Sequence, residues 1–403
     1  MRCEAAPSAT SPPAEPAAVF TQFVVKLYSR CNFGCPDCYV YEHRDRGWAA
    51  QPLVMSPAVM RRLSGRIAEH LRSHRPERAQ VILHGGEPLL AGPPVLERFA
   101  RRLRADCQGL TTRVDLLVQT NASRLDRAFL ETFRRYGITV GVSLDGTAES
   151  HDRRRPDRAG RGTHAEVARA LTLLRAPRYR PLYGGLLCVV DLEADPVETY
   201  EALLAHEPPA VDLLLPHATW HFPPPRPPDG GEAPYGRWLA ALFDRWFDAP
   251  RRETALRLFD SLLDLYLGGT STSEMWGPYG SDVVVIQPSG LIEYNDVLKT
   301  VSAEAARSAL HIGAHNFDRA AADPGFAAER AGLAGLCAQC RSCPVVDICG
   351  GGLRAHRHSP DNGFDNPSCY CADLSFLIGH VRERLTHGVS MLRARFVQGR
   401  WSA

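Results

Sequence analysis

Between residues 23 and 216 the chain alternates short apolar runs with stretches whose apolar residues recur every three or four positions. The runs at 23–28, 81–83, 114–118, 138–143, 186–190 and 211–215 predict strands by their length and β-branched content. Between them, patterns such as Val59, Met60, Leu63, Ile67 and Leu71 predict amphipathic helices. Ser56-Pro57 and Asp195-Pro196 each supply an N-cap followed by a first-turn proline. Six strands alternating with helices predict an α/β fold with a parallel sheet and right-handed crossovers. The periodicity fits an open doubly wound sheet and a barrel equally well.

The unusual residues follow the strands directly. After the first comes Cys31-Asn-Phe-Gly-Cys35-Pro-Asp-Cys38, after the second His84-Gly85-Gly86-Glu87-Pro88, and after the third Thr120-Asn121. Ser143-Leu-Asp145-Gly146 follows the fourth, and Pro216-His217-Ala-Thr-Trp220-His221 the sixth. Each loop alone reads as an ordinary turn leading into a helix. Gathered at the C-terminal rim of one parallel sheet, beside three thiols, they predict a single site.

Beyond residue 222 the pattern changes. A Pro/Gly-rich connector at 222–235 leads into a helix apolar on most of its faces, with Trp238, Leu239, Leu242, Phe243, Trp246 and Phe247. A second helix, 256–267, ends at Gly268-Gly269. The expected division is a disordered Ala/Pro-rich tail at 1–19, a sheet domain at 20–222, a linker with bridging helices at 223–275, and a cysteine-bearing domain at 276–403. A chain of 403 residues has room for this arrangement. Acids and bases are interspersed and sum to +2, so no nucleic-acid-binding patch is expected. No apolar run reaches membrane-spanning length. The N-terminus lacks the apolar stretch of a signal peptide, so a reducing, cytoplasmic setting is expected.

Nine of the twelve cysteines fall in two tight groups, as metal ligands do and disulfide frameworks do not. Three thiolates at C-x3-C-x2-C can hold three irons of a [4Fe–4S] cube and leave the fourth open. A zinc knuckle completed from a distance is the alternative. Cys188, in an apolar run, is expected to be buried packing, and Cys107 structural.

The Cys31/Cys35/Cys38 spacing resembles the radical S-adenosylmethionine (SAM) signature, although Asp37 stands where an aromatic residue is usual, with Tyr39 and Tyr41 close behind. Gly85-Gly86-Glu87-Pro88 resembles that family's GGE(P) motif, in which the glycines allow close backbone approach and the glutamate meets the ammonium of SAM. The resemblance implies a partial (β/α)6 barrel. It also implies SAM contacts at Gly85, Gly86, Glu87, Asn121, Ser143, Asp145 and Tyr39. Arg155, in His151-Asp152-Arg153-Arg154-Arg155, is implied for the SAM carboxylate.

Cys340-x2-Cys343-x5-Cys349, followed by Cys371, resembles the SPASM extension of peptide-modifying members, and implies a second, closed [4Fe–4S] cluster on those four thiols. Cys337 and Cys369 are spare candidates, and a zinc ribbon is the alternative. The ligands of the first auxiliary cluster are missing: Leu353 and Asn295 occupy thiolate positions, which implies one auxiliary cluster. Asp296 falls where sulfatase-maturing relatives carry a catalytic aspartate, making it the candidate base.

The whole pattern resembles the FxsB-type cyclophane-forming maturases of ribosomally made peptides. That implies a precursor peptide crosslinked between an aromatic ring carbon and a β-carbon over a three-residue span. It further implies a flavodoxin- or ferredoxin-type electron donor, and His217, Trp220 and His221 lining the peptide. Thioether formation, epimerisation and formylglycine formation are the other peptide chemistries; a non-catalytic metal-binding scaffold is the reading from another class.

Overall fold

The computed structural model describes residues 19–227 and 231–397, with side chains to 387. The expected disordered tail, apart from its last residue, and part of the proline-rich connector lie outside the described residues.

Six parallel strands form the centre of the fold: β1 (Gln22–Tyr28), β2 (Arg78–Gly85), β3 (Arg113–Thr120), β4 (Ile138–Ser143), β5 (Tyr183–Val189) and β6 (Ala210–Leu214). They neighbour one another in chain order. The crossovers carry α1 (Pro57–His74), α2 (Pro93–Asp106), α3 (Arg127–Tyr136), α4 (Ala148–Arg154), α5 (His164–Arg175) and α6 (Pro196–Leu204). Local chemistry sets the boundaries. Ser56 accepts from Val59 N at 3.3 Å, and Asp195 accepts from Val197 N at 2.8 Å and Glu198 N at 2.9 Å. Met60, Leu63, Ile67 and Leu71 of α1 are buried against the sheet, as their spacing requires.

The sheet does not end with these six. Helix α7 (Pro234–Phe247) is followed by β7 (Ala255–Leu256), which adds to β6, and by α8 (Arg257–Tyr266). On the opposite edge β8 (Val283–Ile286) pairs in parallel with β1. Two antiparallel strands, β9 (Leu291–Glu293) and β10 (Arg307–His311), complete a ten-stranded open sheet. Residues past 276 therefore begin as a continuation of the central sheet.

The remaining helices are α9 (Phe317–Ala321), α10 (Pro324–Arg330), the single turns α11 (Ala338–Arg341) and α12 (Val346–Cys349), and α13 (Cys371–Val397). One apolar core runs from the sheet through Trp238 and Phe243 of α7 to Leu374, Leu377 and Ile378 of α13. Helix α7 packs between α6 and α13. Cys188 is buried in β5 and Cys107 is half-buried at the end of α2.

Candidate functional site

The three-thiol loop is held in place by backbone. Gly34 N donates to Pro156 O at 2.8 Å and Arg158 Nε to Cys31 O at 2.7 Å, so the segment after α4 clasps it from one side. Glu87 N donates to Arg30 O at 2.9 Å from the other. The glycines of the second loop belong to this fit. A Cβ on Gly85 would collide with the Tyr28 carbonyl, and one on Gly86 with the Tyr41 hydroxyl and Arg30 carbonyl. Their small size serves contact between β2 and the cysteine loop, not only the approach of a cofactor.

All three thiols border a cavity of 360 Å³ at the C-terminal ends of the strands. Glu87, Asn121, Ser143, Asp145, Arg154, Arg155, Tyr39, His84 and His217 line it, and Glu274, Met275, Val297 and Leu353 close it from the C-terminal segment. Every sequence-derived SAM contact therefore faces one space. Trp220 and His221 do not. Trp220 is 47 % exposed and bonded through Nε1 to Pro367 O. His221 faces Arg44 on the surface.

The side chains are not all free. Glu87 is buried and accepts from Thr120 Oγ1 at 2.6 Å, Asn121 N at 2.8 Å and Leu89 N at 2.9 Å. Burial outweighs these donors and pushes its carboxyl up to about 7. Asn121 donates to Asn32 Oδ1 at 3.1 Å and reaches 3.9 Å from Cys31 Sγ. Arg155 forks onto Asp145 with 2.7 and 3.1 Å bonds. Burial opposes the Asp145 charge, yet this guanidinium and the Val189 N–H hold its carboxyl below the usual range. Two of the three Arg155 nitrogens are thus held by Asp145 while the side chain lines the cavity. Its neighbour Arg154 reaches Asp37 at 3.1 Å, has no hydrogen bond at Nε, and lies 3.9 Å from Asp145.

Asp296 is buried in a network that the sequence reading missed. Lys26 of β1 pairs with it, Lys299 lies 3.0 Å away, and Lys299 also meets Glu293 at 2.9 Å. Burial favours the neutral acid, but the two lysines win and hold the carboxyl well below the carboxylate range. The signal was a lysine inside the apolar run of β1, since a charge on a central strand needs a buried partner. His217 packs edge-on to Tyr39, ring centroids 4.8 Å apart, with Nδ1 unbonded; burial lowers its pKa to about 4.

The donor sets fit clusters. Burial pushes Cys31 up to about 12 and Cys35 to about 11, so as free thiols they are poor nucleophiles, whereas a coordinated metal deprotonates them outright. In the second group Cys340 senses Cys337, Cys349 and Cys371, and Cys343 acts on both Cys349 and Cys371. Cys369 instead faces Arg226 and Asp373, which sets it apart; Cys337 stands within the group as a fifth thiol. Among the described residues only His70, His74 and Asp318 bring three ligand atoms within 4.8 Å. No described helix is long and apolar enough to cross a membrane.

Comparison with known proteins agrees with this geometry. Residues 25–201 match the Radical SAM superfamily model. A serine-type anaerobic sulfatase-maturating enzyme of Bacteroides thetaiotaomicron is 24% identical over 62% of this chain and 65% of its own length, just under two thirds. Another, from Klebsiella aerogenes, is 25% identical over 91% of this chain and 88% of its own. Among solved structures, anSMEcpe with bound AdoMet superposes with TM-score 0.76 at 20% identity, covering 92% of this chain and 99% of that one. Streptococcus suis SuiB bound to its precursor peptide SuiA superposes at 0.55 and 13% identity, covering 88% and 76%.

Proposed function

From a chain whose residues 25–201 form a Radical SAM superfamily domain, we propose an enzyme that oxidises the β-carbon of one side chain in a peptide. The observation that carries this reading is the shared cavity, in which the three thiols, the Glu87 loop and His217 meet residues of the C-terminal segment. Cys31, Cys35 and Cys38 would hold a [4Fe–4S] cluster, and four thiols of the second group another. When bound, the first cluster and SAM supply a 5′-deoxyadenosyl radical that takes a hydrogen atom from the peptide.

The chain's own residues position and discharge. Glu87, Asn121, Ser143 and Tyr39 are the groups assigned to SAM. Arg155, which lines the cavity and is held in place by Asp145, is assigned to the SAM carboxylate, with Arg154 on the same wall. The apolar walls at Leu187, Val189, Leu213 and Leu215 keep water from the radical. The proton that leaves with the electron has one candidate acceptor on the cavity wall, His217; Asp296 is buried in the lysine network and is not among the lining residues. Asp296 is ionised but stabilised by two lysines; His217 is neutral, faces the cavity and keeps a bare Nδ1, so it is the stronger base.

Formylglycine formation on a serine or cysteine is the product favoured by likeness to the sulfatase-maturating enzymes. The aromatic crosslink is the second reading, favoured by Asn295 and Leu353 standing where that pattern expects thiolates. Anaerobic reaction with peptides bearing one serine, one cysteine, or an aromatic residue in a three-residue motif separates them. An aldehyde trapped by hydroxylamine supports the first. Loss of two hydrogens from the aromatic peptide without an aldehyde supports the second. SAM cleavage that modifies none of these peptides, nor any other peptide from the cell, would overturn both.

A further inference from the structure

Arg357 is buried at 8 % exposure, and no ion pair to it exists among the described residues. Glu329, the nearby carboxylate, is taken by Arg354. Nη1 of Arg357 donates to Gly335 O at 3.2 Å, while Nε has no hydrogen-bond partner. Its Cδ lies against Gly351, 3.7 Å from where a Cβ would stand. The side chain therefore runs between two segments that carry thiols. Gly335-Leu336 leads into Cys337 and Cys340, and Gly351 follows Cys349. Burial opposes its charge, and thiolates at Cys340 and Cys337 would favour it.

A cation buried without an anion is unfavourable unless something outside the polypeptide balances it. A cubane held by four thiolates is such a balance. It is net negative, and it gains a further negative charge on reduction. A fixed cation beside it stabilises the reduced form more than the oxidised one, which raises the reduction potential.

We infer that Arg357 is the counter-charge of the auxiliary cluster, setting its potential high enough to take the electron that leaves the peptide radical. The redox balance rests on the oxidative reading above: the peptide radical loses one electron and a proton, and the cluster gains the electron. Arg357 touches neither substrate nor SAM, so it is a positioning residue that acts through the cluster.

The test needs no substrate and so stands apart from the choice of reaction. In the full chain with Cys31, Cys35 and Cys38 replaced by Ala, only the auxiliary cluster remains. Anaerobic reconstitution is followed by a redox titration read by absorbance and electron paramagnetic resonance. Arg357→Gln should retain about four irons and lower the midpoint by the equivalent of a tenfold change in the reduction equilibrium, about 59 mV for one electron. Arg357→Lys should restore most of it. Arg341→Gln removes an exposed cation on the same segment and should shift the midpoint little, because water and salt screen it. An unmoved midpoint in Arg357→Gln would overturn the inference and leave the arginine to a small anion in the 70 Å³ cavity it also borders. An equal shift in Arg341→Gln, or loss of the cluster in both Arg357→Gln and Arg357→Lys, would overturn it too.

Discussion

Lys26, Asp296, Lys299 and Glu293 form a buried set in which each charge depends on the others. Removing one partner strands another, which costs about 3–5 kcal/mol, whereas removing a pair together costs far less. Asp296→Asn should therefore destabilise the fold by about that amount, and adding Lys26→Met should recover most of the loss, because Lys299 keeps Glu293. A urea-denaturation double-mutant cycle reads this directly, and strictly additive costs would contradict the network. It also means that inactivity of Asp296→Asn alone says little about catalysis. At this scale the sequence was partly legible. The cysteine spacing and the glycine–glutamate loop placed residues that do share a cavity. It was silent where partners are distant in the chain: Arg154 reaches Asp37, and Lys26 meets a carboxylate 270 positions away.

Elements were more legible than contacts, because strands and helices are written in local periodicity. Strand β4 falls at the expected 138–143, and the other five central strands each extend or shift the expected run by a few residues. What periodicity could not reveal is that β8 would pair with β1, since register between segments so far apart has no local signal. Helix packing follows the same rule. Gly236 in α7 lies so close to α13 that a Cβ would collide with the Asp373 carbonyl, while Asp373 accepts from Gly236 N at 3.1 Å. Gly236→Ala should push the two helices apart and cost about 1–3 kcal/mol, although alanine is the better helix former. Chemical denaturation would show it, and a stabilised variant would contradict the close approach.

Over the whole molecule, buried histidines set the acid limit. Burial lowers His84, His151 and His217 to about 4 and His356 to about 3, against about 6.5 in an unfolded chain. Between those values the unfolded state binds more protons, so stability falls as pH drops, with each histidine contributing about 1.4 kcal/mol per pH unit. The thermal midpoint should hold near pH 7 to 8 and fall steeply below pH 6; a midpoint flat down to pH 5 would contradict the burial. The central claim, two clusters in one chain and a radical reaction in the cavity beside the first, has a more direct test. Anaerobic reconstitution with iron and sulfide, followed by dithionite and SAM, should give about eight irons per chain and release 5′-deoxyadenosine, with about four irons and no cleavage once Cys31, Cys35 and Cys38 are replaced by Ala. Zinc in place of iron, or eight irons without SAM cleavage, would contradict it.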